Sequence, residues 1–338
     1  MTTLNIIIQN HGTRIGLCNG LLSISSGEQE HKIPLNKINS IQVTRSCTIS
    51  TDALLQAMDQ GVDVLFVSRK GEPLGRLWNS RFGSISSIRK NQLAFSESRA
   101  AVDWMKKLLT MKLQHQQALL ITLYRTDRAT DPLIEETIDH LDRYEKKIAA
   151  SEADKIEALA DSWRGWEGSC SRKYFACLNR HLPDMYRFEK RSQHPAKDMF
   201  NAMLNYAYGI LYGRIEGALI KAGLDPFIGI MHRNEYNKAV LSFDIIEVFR
   251  YWADYVVCNL CMQQVIFPDM FEVEGEDYWL ANEGKRILIQ SMTDYMDEII
   301  EWQKAERSRA THIEMHCQQF ASMLKHFEGG KVTNQVKL

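Results

Sequence analysis

The apolar pattern of this chain changes period once, and that change limits what it can fold into. Up to about residue 80, apolar residues come in short runs bounded by Gly, Asn and Ser, as strands require. The runs are Leu4–Ile8, Ile15–Cys18, Leu21–Ser25, Ile38–Val43 and Val62–Val67. Asn19-Gly20 between two of them is a hairpin signal, because both positions of a tight primed turn need positive φ. Val62–Val67 is apolar nearly throughout, which predicts burial on both faces. One short helix, about Thr51 to Gln60, interrupts the strands, with Ser50 or Thr51 as its cap. Gly83–Ser87 reads as a linker, and beyond it apolar residues recur every three or four positions.

The second region reads as helical throughout. Its periodic stretches are Gln92–Tyr124, Leu133–Ala160, Tyr174–Leu182, Pro195–Ala222, about Lys238 to Val265, Trp279–Lys304 and Ala310–Phe327. In Pro195–Ala222 the residues Met199, Met203, Leu204, Ala207, Leu211, Ile215 and Leu219 form one apolar stripe. The expected fold is therefore α+β in two domains: a small β domain over 1–85 and a larger all-helical domain over 90–328. A flexible tail is expected over 329–338, where Gly329-Gly330 interrupts the pattern and little is apolar.

With 338 residues the chain can bury a full core in each domain. A net charge of −1 announces neither nucleic acid nor membrane, so any DNA contact must come from a local basic patch. The seven cysteines are odd in number and scattered, which fits a reducing compartment better than a disulfide framework. Cys258-x-x-Cys261 has no second pair to complete a zinc ribbon. No apolar run reaches bilayer length and no basic-then-apolar leader opens the chain, so a cytoplasmic protein is expected. A Gly-rich phosphate loop and a Gly-x-Ser-x-Gly elbow are both missing, which argues against ATP use and against a serine hydrolase.

Chemistry concentrates in Gly223–Arg250. Asp225-Pro226 and Gly229 break the preceding helix, His232 follows on an irregular segment, and a new helix then carries Asp244 and Glu247 three residues apart on one face. An imidazole on a loop beside paired carboxylates suits an open divalent-metal site, with hard oxygen ligands for magnesium or manganese. The same residues also fit a plain surface histidine and an ion pair of Glu247 with Arg250 at i,i+3. Upstream, Arg172 to Arg191 carries Arg172, Lys173, Arg180, Arg187, Lys190 and Arg191 against Asp184 and Glu189, a local +4. Tyr174, Tyr186 and Phe188 lie among them. Basic residues mixed with aromatics suit a phosphate backbone and exposed bases, or an amphipathic segment whose long side chains reach out to water. Gly168, just before this segment, allows a close backbone approach. Met270 to Glu306 is acidic and is expected to face solvent or a basic partner. His312-x-x-x-His316 lacks the glutamate of a metalloprotease helix and reads as surface.

Three segments in order, WEGSCSRKYF from Trp166, NAMLNYAYGILYGRI from Asn201, and GLDPFIGIMH with LSFDIIEVFR up to Arg250, resemble the CRISPR-associated integrase family, the catalytic subunit of spacer acquisition. The resemblance covers the whole chain. Lys238 stands where family members often carry Arg, and Tyr251 where they often carry Pro. The resemblance implies a β domain followed by a helical domain, and a divalent metal, magnesium or manganese, held by Glu167, His232 and a second acid. That acid is Glu247 as ligand with Asp244 beside it in a supporting or alternative role. It also implies transesterification, in which the 3′-hydroxyl of a captured fragment attacks a phosphodiester of a CRISPR repeat. Arg172, Lys173, Tyr174, Tyr206 and Tyr208 are the candidates for positioning the double-stranded DNA. A homodimer made through the β domain and bridged by a small ferredoxin-like companion subunit belongs to the same picture. Two other readings share these residues: a general metal-dependent nuclease on branched DNA, and a DNA-binding scaffold whose acids only stabilise the fold.

Overall fold

A computed structural model describes residues 4–8, 10–27, 29–44, 46–67, 73–77, 86–124, 131–193, 195–232, 238–328 and 331–332. The chain divides into two compact units, Met1–Phe82 and Gly83–Leu338. Of the expected linker, residues 83–85 lie outside the described residues, and Ser86 and Ser87 already open a helix.

In the first unit, strands β1 (Leu4–Ile8), β2 (Arg14–Cys18), β3 (Leu21–Ser26), β4 (Gln29–Pro34), β5 (Ile38–Thr44) and β6 (Thr48–Ile49) precede helix α1 (Thr51–Asp59), β7 (Asp63–Val67) and β8 (Pro73–Arg76). They form two four-stranded sheets, ordered β1-β5-β7-β8 and β4-β3-β2-β6. Asn19 and Gly20 have φ of 51° and 77° and join β2 to β3, so the hairpin forms where the sequence places it. Ser50 Oγ accepts from Ala53 N at 3.2 Å and caps α1. The core holds Ile15, Leu22, Ile41, Val43, Ala53, Ala57 and Val64. β7 departs from expectation: Val64 and Val67 are buried, but Leu65 and Phe66 keep partial exposure, so the strand is not covered on both faces.

The second unit runs α2 (Ser86–Ser96), α3 (Arg99–Tyr124), α4 (Pro132–Ala150), α5 (Glu157–His181), α6 (Met199–Lys221), α7 (Val240–Ile246) and α8 (Arg250–Met262). Then come β9 (Phe271–Glu274), β10 (Asp277–Leu280), α9 (Asn282–Asp297), β11 (Ile299–Trp302), β12 (Ala305–Ser308), α10 (Arg309–Lys325), β13 (Phe327–Glu328) and β14 (Lys331–Val332). The unit is mostly helical but not wholly so, because among the described residues three antiparallel strand pairs punctuate it. Among the described residues no helix is long and apolar enough to cross a membrane. Most of the expected tail, 329–330 and 333–338, lies outside the described residues, and Lys331–Val332 pairs with Phe327–Glu328.

Serine hydroxyls divide stretches that read as single helices. Ser98 Oγ donates to Phe95 O at 2.7 Å where α2 ends, and Ser151 Oγ donates to Ile148 O at 2.6 Å where α4 ends. Ser151 Oγ also accepts from Trp163 Nε1 at 3.0 Å, which ties the break to α5. Trp279–Lys304, read as one helix, is a strand, a helix and a second strand. Gln303 and Lys304 turn the β11–β12 hairpin at φ 51° and 65° without glycine or asparagine to announce it. α6 carries buried residues all round its circumference, not along one stripe, because α7, α8, α9 and α10 surround it.

The His312/His316 pair is buried and not at the surface, at 1% and 6% exposure. His316 packs edge-on to Phe249 with centroids 5.5 Å apart, and neither of its ring nitrogens has a hydrogen-bond partner. Burial without a partner pushes its pKa down to about 4. An unfolded chain takes up this proton near pH 6.5 while the folded one refuses it until about pH 4. The stability that goes with a neutral His316 is thus complete above pH 6.5 and is lost as pH falls from 6.5 towards 4. Urea unfolding at pH 7.5 and 4.5 should show His316→Leu gaining about 2–3 kcal/mol on the wild type at the lower pH. Equal slopes for both proteins would show that His316 is hydrated or hydrogen-bonded in the folded state.

Candidate active site

Glu167 lies inside α5, and Glu247 is the residue after the last turn of α7, where the chain breaks before α8. Both reach the ammonium of Lys112, which projects from α3. Lys112 Nζ donates to Glu167 Oε1 and stands 2.6 Å from Glu247 Oε2. Lys112 and Glu247 are 5% and 3% exposed. Burial opposes the charge on Lys112, but Glu167 and then Glu247 outweigh it and hold the ammonium above the ordinary lysine range.

The second oxygen of Glu247 accepts from Arg250 Nε at 2.8 Å. Arg250 also donates to Tyr212 Oη at 2.8 Å and lies over the Tyr208 ring at 4.9 Å. Burial alone would raise the Glu247 pKa, but Arg250 and then Lys112 overcome it and pull the carboxyl down to about 2. The i,i+3 pair with Arg250 is therefore present, as part of a larger buried network.

Asp244 has another task. Its Oδ2 accepts from Ile230 N at 2.6 Å and Met231 N at 3.3 Å, and its Oδ1 lies 3.2 Å from His232 N and 2.7 Å from His232 Nδ1. The carboxylate is fully buried and is occupied in shaping the loop. With Nδ1 engaged, Nε2 is the nitrogen left to meet a ligand. Burial works against an imidazolium at His232, but the Asp244 hydrogen bond and charge, with contributions from Glu247 and Glu167, raise its pKa. Residues 233–237, between His232 and α7, lie outside the described residues.

Two further contacts fix this loop. Gln92 from α2 donates through Nε2 to Asp225 O at 2.7 Å and Ile228 O at 2.9 Å, and its Oε1 accepts from Asp225 N at 3.0 Å. At Gly229 an added Cβ would lie 2.1 Å from the carbonyl oxygen of His232, so only glycine fits that crossing. Gly168 has no such role. It lies within α5, and the nearest atom to a Cβ there is an Arg172 side-chain nitrogen at 3.7 Å.

The expected DNA contacts separate into two groups. Tyr174 and Tyr208 are buried, at 0% and 8% exposure, and both donate to Asp254, at 2.9 Å and 2.6 Å. They are internal supports of α5, α6 and α8, which removes both hydroxyls from the set of DNA contacts. Tyr186 donates to Ile266 O at 2.8 Å, and Phe188 stacks on Phe200, so the aromatics of the basic segment belong to the core. Arg191 is also enclosed: it donates to Asn201 and Asn205 and lies over Phe175 and Tyr208. Tyr206 is half-buried, and burial lifts its pKa to about 12. Arg172 is exposed, and Lys173 is half-buried with Glu136 at 3.2 Å.

Among the described residues no three His, Cys, Asp or Glu side chains stand close enough together to hold a metal ion, and the cation between the two glutamates is Lys112. The donor set nonetheless suits one. Glu247 Oε2 is buried and, although close to Lys112, accepts no hydrogen bond in good geometry. Glu167 brings a second carboxylate to the same point, and His232 is oriented from behind by Asp244 as metal-binding histidines are. Two carboxylates and one imidazole nitrogen fit magnesium or manganese. Lys112 was missed in the sequence, although it falls at an apolar position of α3, in step with Leu108, Leu109 and Leu113.

Residues 6–294 match the family described as CRISPR associated protein Cas1. The CRISPR-associated endonuclease Cas1 1 of Archaeoglobus fulgidus is 27% identical over 334 residues, covering 95% of this chain and 96% of that protein. The structure of a Cas1 protein from Thermotoga maritima superposes with a TM-score of 0.79 at 20% identity, over 95% of this chain and 97% of that one. A casposase bound to integration product superposes at 0.78 and 20% identity, over 97% of this chain and 92% of that one. With a family match that spans most of its length, and a strand-rich unit followed by a mostly helical one as in those structures, this chain belongs to the Cas1 family of CRISPR-associated proteins.

Proposed function

We propose that this protein is a divalent-metal-dependent DNA integrase and endonuclease that joins captured DNA fragments to a CRISPR repeat during adaptation. The observation that carries the reading is the meeting of Glu167 and Glu247, far apart in sequence, at one buried cation position, with His232, held by Asp244, near enough for both acids to help raise its pKa. The endonuclease name of the Archaeoglobus relative and the integration product on the casposase support the same chemistry.

Glu167, His232 and Glu247 would hold the ion, with Asp244 setting the tautomer and aim of His232. Bound there, magnesium or manganese would polarise a phosphoryl oxygen and stabilise the charge that develops on attacking and leaving oxygens. The chain's own residues supply the rest. Arg250 anchors Glu247 from the far side, so this ligand cannot rotate away. Asp254 ties α8 to α5 and α6 through Tyr208 and Tyr174, which keeps Glu167 and Glu247 in register. Arg172, exposed on α5, and its half-buried neighbour Lys173 would meet DNA phosphates, and Tyr206 is the one aromatic of the expected set with exposed surface. The attacking group is the 3′-hydroxyl of the fragment and the leaving group is the 3′-oxygen of the cleaved repeat strand; because one phosphodiester is exchanged for another, no nucleotide is consumed. The substrates are double-stranded fragment and repeat DNA. The protein works as a homodimer through its β unit, together with a small ferredoxin-like companion subunit.

Strand transfer into supercoiled repeat DNA, with 3′-hydroxyl and 3′-blocked donors in parallel, tests this. Joining should require the free hydroxyl and magnesium or manganese. His232→Ala and Glu247→Ala should each reduce it at least about 100-fold while leaving DNA binding intact. Arg172→Ala should weaken binding and lower its salt dependence by about one phosphate contact. Joining that survives His232→Ala, or that ignores the 3′ block, contradicts the mechanism. DNA binding without any joining, in the presence of the companion subunit, favours a scaffold.

The loop makes a separate claim. Gly229→Ala forces the His232 carbonyl to move, so joining should fall by about tenfold or more while the unfolding midpoint shifts by only a few degrees. Unchanged joining in Gly229→Ala would show that the close approach at Gly229 does not place His232.

A further inference from the structure

The positive charge between Glu167 and Glu247 belongs to the chain itself. Two carboxylates withdrawn from water repel one another unless a cation stands between them. Lys112 reaches them from a third element, α3, with a side chain only 6% exposed. Its ammonium meets both Glu167 Oε1 and Glu247 Oε2. Arg250 cannot take this place, because it holds the other oxygen of Glu247 and is itself tied to Tyr212. A divalent ion bound by Glu167, His232 and Glu247 would need the oxygens that Lys112 holds, so the two cations exclude each other.

We infer that Lys112 is a tethered placeholder: its ammonium keeps Glu167 and Glu247 paired while no divalent ion is bound, and gives them up when the ion enters. The inference rests on the metal-site reading above. Lysine suits the exchange, because a compact charge on a flexible four-carbon stem can move aside, whereas a guanidinium fork would grip both carboxylates. Arg250, the fork, stays on the outer oxygen and keeps Glu247 in place through the exchange. The device weakens binding: the ion must compete with a charge that is always present, so half-occupancy needs a higher ion concentration than the same pair of acids without the lysine would need.

Manganese binding to the full chain without DNA, followed by the paramagnetic resonance signal of the free ion and by calorimetry, reads this directly. Lys112→Met keeps the length and removes the charge. It should bind manganese about tenfold tighter or more than the wild type. Its metal-free form should melt lower, and manganese should restore more of the melting temperature than in the wild type. Lys112→Arg keeps the charge, and so decides the matter even where the methionine variant does not fold. It should bind manganese about threefold more weakly or worse. Wild-type affinity in both variants, with binding lost in His232→Ala, overturns the placeholder and leaves the metal site standing. Wild-type manganese binding that is absent or indifferent to His232→Ala removes the metal reading, and the placeholder with it.

Discussion

A buried glutamate and a half-buried one that share one buried cation form the constraint on which the helical unit depends. Neither acid is tolerable in the interior alone, and removing one member of such an arrangement leaves an uncompensated charge. The three participants come from three elements: Lys112 from α3, Glu167 from α5 and Glu247 from the break between α7 and α8. Their meeting therefore fixes the relative placement of those elements more tightly than apolar packing, which tolerates repacking among residues of similar volume. α6, buried all round, is the core that these elements close over.

The supports around the pair use the same economy of polar contacts. Asp244 spends its carboxylate on three backbone amides and one imidazole, so a loop with little regular structure of its own is held as firmly as a helix end. Gln92 does the same from α2 with both ends of its amide. His115 Nδ1 lies 2.9 Å from Val248 O and so meets the backbone at the break next to Glu247. Asp244 and Gln92 are buried and His115 half-buried, each with its partners in place, the condition under which polar groups rigidify a site. Asp254 extends the scheme, accepting from Tyr208 and Tyr174 and joining α8 to α6 and α5.

The broad fold was legible because periodicity reports burial, and the switch from strands to helices falls where the chain divides. Breaks inside the helical unit were not, because serines closing α2 and α4 against carbonyls look like ordinary helix residues until their partners are known. The His232, Asp244 and Glu247 constellation was visible from spacing, and Glu167 from the family pattern. What spacing could not assign was the division of labour, with Asp244 turned to the loop and Glu247 to the cation. Tyr174 and Tyr208 misled because an aromatic among basic residues has the same pattern whether it faces DNA or a buried aspartate, and only depth separates the two. Lys112 is the converse case: a charge at an apolar position of α3 marks a buried partner, but the sequence does not say which acids it meets.

Anomalous diffraction from crystals of the full chain grown with manganese tests the central claim most directly. The account predicts one strong peak between α5, α7 and the 223–232 loop, within about 2.3 Å of a Glu167 oxygen, Glu247 Oε2 and His232 Nε2, with Asp244 still on the loop amides. A peak coordinated by other residues, or none while Lys112 remains between the two glutamates at millimolar manganese, would contradict it.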